Sequence, residues 1–540
     1  MLIFFYITDA NAQGYRNEWI DYSKTYYRFP VVVNGIYRIN KAALTTLGLG
    51  DVPVEQFQLF RNGKQIALHA TATSGILPAN GFIEFFGFRN DAQADLDLFA
   101  KPSDNLLPFN SLHSDTAYHY LTIGDPSKSI RFRSVTSNSV NTTLKPDEYV
   151  KFEVELIQSL GISTSHAGYA RNVDGFAIRS SAYDIGTGFR ANTSFSNSTL
   201  RTHIYPDLFL HSNLTARFGV QGGTANTRNI RLLLNDSIVK EKEINSFDVY
   251  VDSFFVAGRN LFESTNNARL RYSVIDNVSG DNNFILTSYI KYNRLMNLGN
   301  TIVNYFRLEA NTNGNHLRFG NVNLRGVVPL FYDLTNNVRY VGEMKGTDSA
   351  ICVLEPSSLP REIVYHTSNT TNVRTIGAGA ITKYIFKSYE DVSEQGDYII
   401  ITNSKLRNGS IDYIEKYRAY RASVEGGGYN AKIYDIDELA SNFAYGIRKS
   451  PLAIKNFINY AIDHFKVKPK FVFIIGKGLE SSGYRGIAGT ANGEYLNLVQ
   501  TFGIPASDNY LVSRTSTNPI PQIPIGRLSV ISNDEVKAYY

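Results

Sequence analysis

The strongest constraint on the fold is a pair of continuous apolar runs near the carboxyl end of the chain, Tyr398–Thr402 and Phe471–Ile475. Strands that are buried on both faces of a parallel sheet have this pattern. A further strand is predicted at Ala431–Ile436, and Ser450-Pro451 has the pattern of a helix start. Two stretches between the strands have apolar residues at helical spacing: Ile411, Ile414 and Tyr417, then Ile454, Phe457, Ile458, Ala461 and Phe465. The order β-α-β-α-β predicts a doubly wound α/β unit over residues 390–540.

Residues 19–90 have the pattern of β-hairpins. Two Asn-Gly pairs, Asn34-Gly35 and Asn62-Gly63, each lie between two strand-like runs. Asn-Gly readily supplies the two positive φ angles of a type I′ turn, so we expect two hairpins that turn at these pairs. Between them, Lys41–Leu47 predicts one short helix that ends at Gly48.

Residues 115–370 continue as short runs of β-branched and aromatic residues, separated by clusters of Asn, Asp, Gly and Ser. The clearest runs are Ile230–Leu234, Phe247–Ala257, Phe284–Tyr292 and Thr301–Ala310. Helical periodicity is scarce here, which predicts sandwich-like β domains. We divide the chain into a partial signal peptide (1–12), an amino-terminal β-rich domain (13–125), one or more β-rich domains (126–385) and the front part of an α/β domain (390–540).

Composition and charge exclude several classes of protein. The 540 residues are 43% hydrophobic and 19% charged, as in a globular protein. The 54 basic and 49 acidic residues give a net charge of +5, which is too balanced to favour nucleic acid as a partner. Cys352 is the single cysteine, so no intramolecular disulfide is possible. An exported protein without disulfides is normal for bacteria.

The first dozen residues have features of a secretory leader. Leu2–Ile7 is a short apolar run, and Ala10-Asn11-Ala12 has the small-x-small form of a signal-peptidase site. We interpret residues 1–12 as a partial signal peptide and expect Gln13 to be the mature amino terminus. The alternative is a frayed apolar terminus. No later run approaches the ~18 apolar residues of a membrane-spanning helix. Asn-x-Ser/Thr triplets occur at several positions, and we attribute them to the asparagine-rich composition: Asn141, Asn192, Asn197 and Asn213.

Two groups of residues at the ends of the predicted parallel strands are candidates for chemistry. Gly476-Lys477-Gly478 follows the third strand, where ligands of α/β sheets collect, and it is either a phosphate loop or a tight turn. The spacing of the P-loop is missing, which favours the turn. Asp435, Asp437 and Glu438 follow the second strand. These carboxylates either form a metal or acid/base cluster or cap the next helix, and capping is the more frequent use.

The cysteine and the histidines give no catalytic pattern. Cys352 lies in an apolar strand-like run, so we expect a buried structural thiol. His113 and His119 flank Asp115 in a predicted strand, and their spacing puts them on one face about 20 Å apart. They are therefore too distant to share a metal. His464 lies on the polar flank of its helix, and every histidine is interpreted as structural or solvated.

Residues 397–540 resemble the gingipain-type cysteine peptidases. The matching segments follow in the order expected of that family: Lys449–Phe457, Phe471–Gly478, Pro505–Tyr510 and Pro524–Arg527. The front of the chain is similar to that of the sortases of the type IX secretion system, which belong to the same family, at Trp19–Tyr22, Tyr26-Tyr27, Asn34–Ile39, Phe57–Lys64 and Ser114–Tyr118. The resemblance covers nearly the whole chain. It implies an incomplete, caspase- and gingipain-like α/β domain behind a β-rich region.

The resemblance also implies an activity. Such sortases are cysteine endopeptidases and transpeptidases at the outer face of the outer membrane. They remove the C-terminal sorting domains of exported cargo and transfer the cargo to a lipopolysaccharide acceptor. Their partners include an outer-membrane β-barrel shuttle protein and other subunits of the attachment complex. No cofactor is implied, although a structural calcium ion is compatible with the family.

The sequence departs from the family at the catalytic pair. The family's catalytic histidine lies in a Gly-His-Gly-like stretch and its nucleophilic cysteine follows, both after the Gly-Arg motif that Gly526-Arg527 matches here. No histidine of this sequence is flanked by glycine, and Cys352 lies far upstream. We therefore expect the catalytic His and Cys beyond Tyr540 and interpret Asp534–Tyr540 as a helix cut mid-run. The alternatives are a non-catalytic surface module with a degenerate α/β part, and a nucleotide-binding domain that uses the Gly476–Gly478 loop.

Overall fold

The computed structural model describes most of the chain. The described residues are 14–107, 109–155, 164–167, 171–173, 176–178, 181–191, 201–205, 213–234, 237–257, 268–275, 279–300, 303–323, 327–367 and 373–540. The predicted signal peptide, Gln13, Asn192 and Asn197 lie outside them. Within the described residues, no helix has the length and hydropathy needed to cross a membrane.

The chain is β-rich from Tyr26 to Tyr384, as the short apolar runs predict. The helix α1 (Lys41–Thr46) follows the second strand and ends before Gly48, whose φ is +76°. In chain order the strands are β1 (Tyr26–Val31), β2 (Gly35–Asn40), β3 (Phe57–Arg61), β4 (Lys64–Ile66), β5 (His69–Ala70), β6 (Phe82–Gly87), β7 (Ala117–Ile123), β8 (Arg133–Thr136), β9 (Tyr149–Glu155), β10 (Thr164–Ala167), β11 (Arg171–Val173), β12 (Phe176–Ile178), β13 (Thr187–Arg190), β14 (Arg201–Tyr205), β15 (Leu214–Gly222), β16 (Arg228–Leu234), β17 (Ser237–Ile244), β18 (Val249–Val256), β19 (Ala268–Val274), β20 (Asn283–Leu295), β21 (Val303–Leu308), β22 (Asn315–Phe319), β23 (Pro329–Asp333), β24 (Val338–Val341), β25 (Glu343–Lys345), β26 (Ser349–Leu354), β27 (Arg361–Thr367), β28 (Val373–Thr375) and β29 (Thr382–Tyr384).

The front of the chain forms two sheets around a shared apolar core. Their strand orders are β29-β1-β7-β3-β4 and β28-β2-β6-β5. Phe29, Phe57, Phe85 and Leu121 are fully buried between them. The predicted hairpin at Asn62-Gly63 is confirmed, because β3 and β4 pair antiparallel and the two turn residues have φ of 47° and 74°.

The predicted hairpin at Asn34-Gly35 is wrong. The strand before the pair, β1, bonds to β7 and β29, whereas the strand after it, β2, bonds to β6 and β28. The Asn34-Gly35 pair is thus a corner at which the chain passes from one sheet to the other. The Asn34 Oδ1 atom accepts a hydrogen bond from Arg89 N at 2.8 Å, which fixes the corner without a positive φ at either residue.

The middle of the chain forms a sandwich, as predicted. A sheet of nine described strands has the order β18-β15-β20-β9-β21-β27-β23-β24-β8, and a four-stranded sheet β14-β19-β16-β17 packs on one end of it. Phe218, Ile230, Leu232 and Ile290 are buried between these two sheets. A third sheet, β22-β26-β25, contributes to a separate apolar core at the other end.

The chain returns to the first two sheets before the α/β unit begins. The strand β28 pairs parallel with β2, and β29 pairs antiparallel with β1. Residues 373–384 therefore fold with the front of the chain, although they follow the sandwich in sequence. The domain limits proposed from the sequence stay predictions.

The α/β unit has the predicted order of elements. They are β30 (Tyr398–Thr402), α2 (Tyr413–Ala422), β31 (Ala431–Asp435), α3 (Ile436–Phe443), α4 (Leu452–His464), β32 (Phe471–Ile475), α5 (Ser481–Arg485), α6 (Ala491–Leu496), β33 (Ile525–Leu528) and α7 (Asn533–Tyr539). The sheet order is β31-β30-β32-β33, and all its pairs are parallel. The predicted apolar face of α4 is buried throughout.

The start of α4 differs slightly from the prediction. Pro451, and not Ser450, occupies the N-cap position, and its φ and ψ of −61° and −21° are already helical. The Ala453 N–H donates to Ser450 O at 3.2 Å, so the first turn is tight. No side-chain hydrogen bond caps this helix start.

Candidate functional site

The candidate site is the edge of the parallel sheet at the carboxyl ends of its strands. In the sheet, β31 lies on one side of β30 and β32 lies on the other. The connection after β30 runs towards β31, whereas the connection after β32 runs towards β33, so the direction of the connections switches between β30 and β32. Open α/β sheets bind their ligands at such a switch point. Here it is bordered by Asn403–Lys405 after β30 and by Gly476–Gly478 after β32. We call this region the carboxyl-edge crevice.

The glycines of the crevice form a tight turn. Gly476 has φ of +141°, and its N–H donates to Leu528 O at 2.9 Å. The Lys477 N–H donates to Val530 O at 2.9 Å, so these donors are used inside the protein. A Cβ atom on Gly478 would lie 2.5 Å from Val499 O. The geometry therefore supports the turn and gives no cradle of free N–H groups to a phosphate.

Asp435 caps the next helix, which is the second of the two uses predicted for these carboxylates. Its Oδ1 accepts hydrogen bonds from Asp437 N and Glu438 N at the start of α3, at 2.8 and 3.3 Å. Its Oδ2 accepts from Ser404 N at 2.8 Å, which ties the end of β31 to the end of β30. Burial and the neighbouring Asp437 carboxylate raise the pKa of Asp435.

The other two carboxylates of this cluster are also paired. Asp437 bonds to Arg448 at 3.3 Å, and Glu438 accepts a hydrogen bond from Tyr389 and lies 3.7 Å from Lys387 Nζ. Together the three carboxylates border a cavity of about 280 Å³, whose other lining residues are Arg28, Tyr384 and Ile385. In the described part of the chain, no three His, Cys, Asp or Glu side chains are grouped to hold a metal ion. Structural calcium stays a prediction.

Arg527 holds the crevice together, which the sequence did not predict. Its Nε and Nη2 donate to the Asp508 carboxylate at 2.7 and 2.8 Å. The remaining donors bond to Gly476 O at 2.7 Å, Val499 O at 2.8 Å and Gln500 O at 2.9 Å. One guanidinium thus joins β33, the glycine turn and the segment after it. The available signal was that three segments matched to the family contain Gly476, Asp508 and Arg527.

Two buried lysines of the matched segment Lys449–Phe457 support the same edge and were also missed. Lys449 Nζ donates to Asn497 O at 2.5 Å. Lys455 is 2% exposed and donates to Tyr510 O and Ser513 O at 3.1 and 2.6 Å. Burial and, to a smaller extent, the nearby Arg514 lower the pKa of Lys455 to about 8. Neither lysine has a local sequence signal that separates it from a surface lysine.

Cys352 lies outside the crevice, in β26, and it is fully buried as predicted. It belongs to the core beside the three-stranded sheet, not to the core of the α/β unit. Burial raises the pKa of its thiol well above the usual value. Leu317 is its partner across the strand pair, so the adjacent His316 points to the opposite face and bonds to Leu144 O. Cys352 therefore has the environment of a structural thiol.

Most of the described histidines are buried or half-buried. Burial lowers the pKa of His69 and His366 to about 4, and that of His113 and His119 to about 3. His464 is exposed and contacts Tyr460, with ring centroids 4.7 Å apart. The side chains of His166, His203 and His211 lie outside the described residues.

The prediction that His113 and His119 share a strand is wrong. The strand β7 begins at Ala117, and His113 lies in the turn before it, where its N–H donates to Ser111 Oγ at 3.1 Å. The turn forms because Ser111 offers the backbone a local acceptor that competes with strand pairing.

Comparisons with known proteins agree with this architecture. Residues 391–540 match the model of peptidase family C25. The crystal structure of dimeric latent PorU from Porphyromonas gingivalis is similar over 97% of this chain and 49% of that chain, at 12% identity and a TM-score of 0.58. The chain thus spans about half the length of that structure. A family 35 carbohydrate-binding module from Clostridium thermocellum aligns with 27% of this chain over 98% of its own length, at 14% identity and a TM-score of 0.15. No curated protein has significant sequence similarity to the chain.

Residues 391–540, which form the sheet and its crevice, are therefore similar to the gingipain-type cysteine peptidases of family C25. The fold of the chain as a whole is similar to that of the PorU structure, in both the β-rich region and the α/β unit.

Proposed function

We propose that this chain is the front part of a type IX secretion system sortase, a cysteine endopeptidase and transpeptidase. The observation that carries the proposal is the extent of the similarity to PorU, which runs through the β-rich region and the α/β unit along 97% of the chain. The C25 match over residues 391–540 supports the peptidase chemistry independently of that similarity.

The proposed reaction is acyl transfer through a thioester. A cysteine thiolate attacks the carbonyl carbon of the scissile peptide bond, and backbone N–H groups stabilise the oxyanion. A histidine takes the thiol proton and then gives it to the leaving amine, which departs with the C-terminal sorting domain. An amine or hydroxyl group of lipopolysaccharide then attacks the thioester in competition with water. The cargo is thereby attached, and the thiol is restored.

We propose that these 540 residues supply the framework of the enzyme and that the reacting thiol and histidine lie in sequence beyond Tyr540. The buried position of Cys352 supports this division, since a thiol with a raised pKa and no accessible surface is a poor nucleophile. The chain then contributes the β-rich platform and four strands of the catalytic sheet. Arg527 and Asp508 would fix the edge on which the active site is assembled.

The partners and the location of the protein follow from the same proposal. The substrates are exported proteins with C-terminal sorting domains, and the acceptor is lipopolysaccharide. An outer-membrane β-barrel shuttle protein and other attachment-complex subunits are the proposed partners. The protein would act at the outer-membrane surface after removal of a leader that ends at Ala12, which amino-terminal sequencing of exported protein checks directly.

The test compares two chains. Residues 13–540 and a version extended by the downstream reading frame through its next cysteine are assayed for cleavage of a cargo fused to a sorting domain. We expect the short chain to be inactive, because loss of a nucleophile costs several orders of magnitude in rate. The long chain is expected to cleave, and to lose activity when the added cysteine is changed to alanine.

Two results would contradict the proposal. If the short chain cleaves at a comparable rate and Cys352→Ala abolishes cleavage, the assignment of the nucleophile is wrong. If the reading frame stops at Tyr540 and neither cargo nor acceptor is processed, the non-catalytic surface module replaces the sortase.

A further inference from the structure

Residues 479–497, which contain α5 and α6, leave the sheet after β32 and return to it at nearly the same place. The Leu479 N–H donates to Asn497 Oδ1 at 3.1 Å, which joins the two ends of the segment. Just outside them, the Leu498 and Val499 N–H groups donate to Lys477 O at 2.9 and 3.0 Å. The segment is therefore an excursion with a closed base.

One end of the excursion lies against the carboxyl-edge crevice. Glu494, in α6, is 3.6 Å from Lys405 Nζ, which follows β30, and 3.4 Å from Arg448 Nη2. Arg448 in turn bonds to Asp437, which follows β31. Lys449 Nζ is 3.8 Å from the same Glu494 carboxylate. The α6 helix thus contacts Lys405 after β30 directly and is linked to Asp437 after β31 through Arg448.

The other end of the excursion is held by the β-rich region. Arg485, in α5, donates to both oxygens of the Asp115 carboxylate at 3.0 and 3.1 Å. Asp115 also pairs with Arg89 at 3.2 Å, so two guanidinium groups share it. The Arg485 guanidinium lies 5.4 Å from the centroid of the Phe189 ring. The excursion therefore spans from the β-rich region to the crevice.

Residues 479–497 are held against the rest of the protein mainly by polar contacts and by few apolar ones. Between residues 479 and 496 only Ser481, Tyr484 and Gly493 are buried, and no residue there belongs to the core of the α/β unit. The chain on the far side of the base does belong to that core, through Leu498 and Val499. The Asp115 and Glu494 side chains are 46% and 35% exposed. Pairs of this kind are weak and are screened by salt, so the segment opens more readily than the core beneath it.

We propose that residues 479–497 are a lid over the carboxyl-edge crevice, hinged at its base and held shut by the Arg485–Asp115 and Glu494 ion pairs. Opening the lid exposes the loops after β30 and β32 to a ligand. It also uncovers Lys449, which is 3% exposed when the lid is closed. Since one latch is on the β-rich region, a partner that binds near Asp115 controls access to the crevice. The inference does not depend on the sortase assignment.

Two buried lysines provide the test. Lys449 bonds to Asn497 O at the base of the lid and lies 3.8 Å from Glu494 in α6. Lys455 is buried against Tyr510 and Ser513, outside the lid. The whole chain is labelled with a small amine-reactive reagent at low salt and at about 1 M salt, where the Debye length falls to about 3 Å. Mass spectrometry then measures the labelling of each lysine in the wild type, in Arg485→Gln and in Glu494→Gln. The control is Arg418→Gln, which removes an ion pair to Glu415 on the surface of α2.

The lid predicts that Lys449 alone responds. High salt, Arg485→Gln and Glu494→Gln each raise its labelling rate about two- to fivefold, as expected for the loss of partly exposed ion pairs. Lys455 keeps its slow rate, and Arg418→Gln changes neither lysine. If Lys449 stays as protected as Lys455, residues 479–497 are a fixed part of the fold and the lid is wrong. If both lysines become reactive together, the α/β unit opens as a whole and the lid is equally wrong.

Discussion

Arg527 donates five hydrogen bonds, and every acceptor lies at the carboxyl edge of the sheet. Lysine carries the same charge on a single nitrogen, so it cannot bond to both oxygens of Asp508 and to three carbonyl groups at once. Gly476 also donates its N–H to Leu528 O in β33, so Arg527 adds to a backbone bond already present there. The Arg527→Lys substitution keeps the positive charge and therefore the ion pair with Asp508, but it loses the hydrogen bonds to the three carbonyl groups.

We expect Arg527→Lys to lower the free energy of unfolding of the α/β unit by about 2–3 kcal/mol, since mostly buried acceptors lose their donors. Urea unfolding followed by hydrogen exchange in β32 and β33 measures the change. The matched control is Arg418→Lys, on the exposed pair with Glu415, for which we expect less than about 0.5 kcal/mol. Equal effects of the two substitutions would show that Arg527 is no clamp.

Lys455 predicts a pH dependence of stability. Burial lowers its pKa from 10.5 to about 8 in the folded protein. Below pH 8 the lysine is protonated in both the folded and the unfolded protein. Between pH 8 and 10.5 the unfolded protein binds more protons, so the free energy of unfolding rises with pH in this window, by at most about 3 kcal/mol from this group. Lys455→Met should remove that rise, as judged by urea unfolding at several pH values. Lys416→Met, at an exposed position of α2, should keep it.

Buried polar residues of this kind are the part of the site that could not be predicted from the sequence. The apolar run of β30 and the helical spacing of Ile454, Phe457, Ile458 and Ala461 in α4 predicted buried positions, and these residues are buried. Lys455 and Arg527 interrupt no pattern, and their partners lie far away in sequence, at Tyr510 and Gly476. A residue whose role depends on distant carbonyl groups has no local signature.

At the scale of the element, the two Asn-Gly dipeptides form different structures. Asn62-Gly63 turns between paired strands with two positive φ angles, whereas Asn34-Gly35 is a corner between sheets with none. The local sequence favours a type I′ turn in both places. The outcome differs because β2 finds partners in β6 and β28, which are distant in sequence.

The two Asn-Gly pairs predict different effects of alanine on stability. Gly63 has φ of +74°, and a Cβ atom there would lie 2.9 Å from Tyr445 Cε1, so we expect Gly63→Ala to cost about 1–2 kcal/mol. Gly35 has no positive φ, and the nearest atom to its Cβ position is Arg374 Nε at 3.6 Å. Gly35→Ala should change the stability by less than about 0.5 kcal/mol. Thermal unfolding of the two variants measures both changes in stability. If Gly35→Ala destabilises the protein as much as Gly63→Ala does, the corner needs glycine as the hairpin turn does.

The α/β unit and the β-rich region share one core at the scale of the whole molecule. Leu98, Phe99 and Leu112, which precede β7, are buried in the same cluster as α4 and β32. The Tyr15 hydroxyl also bonds to Asp463 at the end of α4, at 2.5 Å. Sequence patterns predicted the α/β unit as a separate block because periodicity describes one element at a time. They gave no sign that segments some 300 residues upstream complete its core.

Leu98→Ala tests this shared core. The residue is fully buried, so we expect the substitution to cost about 2–4 kcal/mol, and we expect the loss to appear in the α/β unit although Leu98 lies far from it in sequence. Hydrogen exchange of α4 amides measures it. The matched control is Leu44→Ala, which removes an equally buried leucine from the core of the first two sheets. It should speed exchange in β2 and β6 and leave α4 unchanged, since local stability follows the cluster to which a residue belongs. If Leu98→Ala leaves α4 as protected as in the wild type, the α/β unit has a core of its own and the β-rich region does not support it.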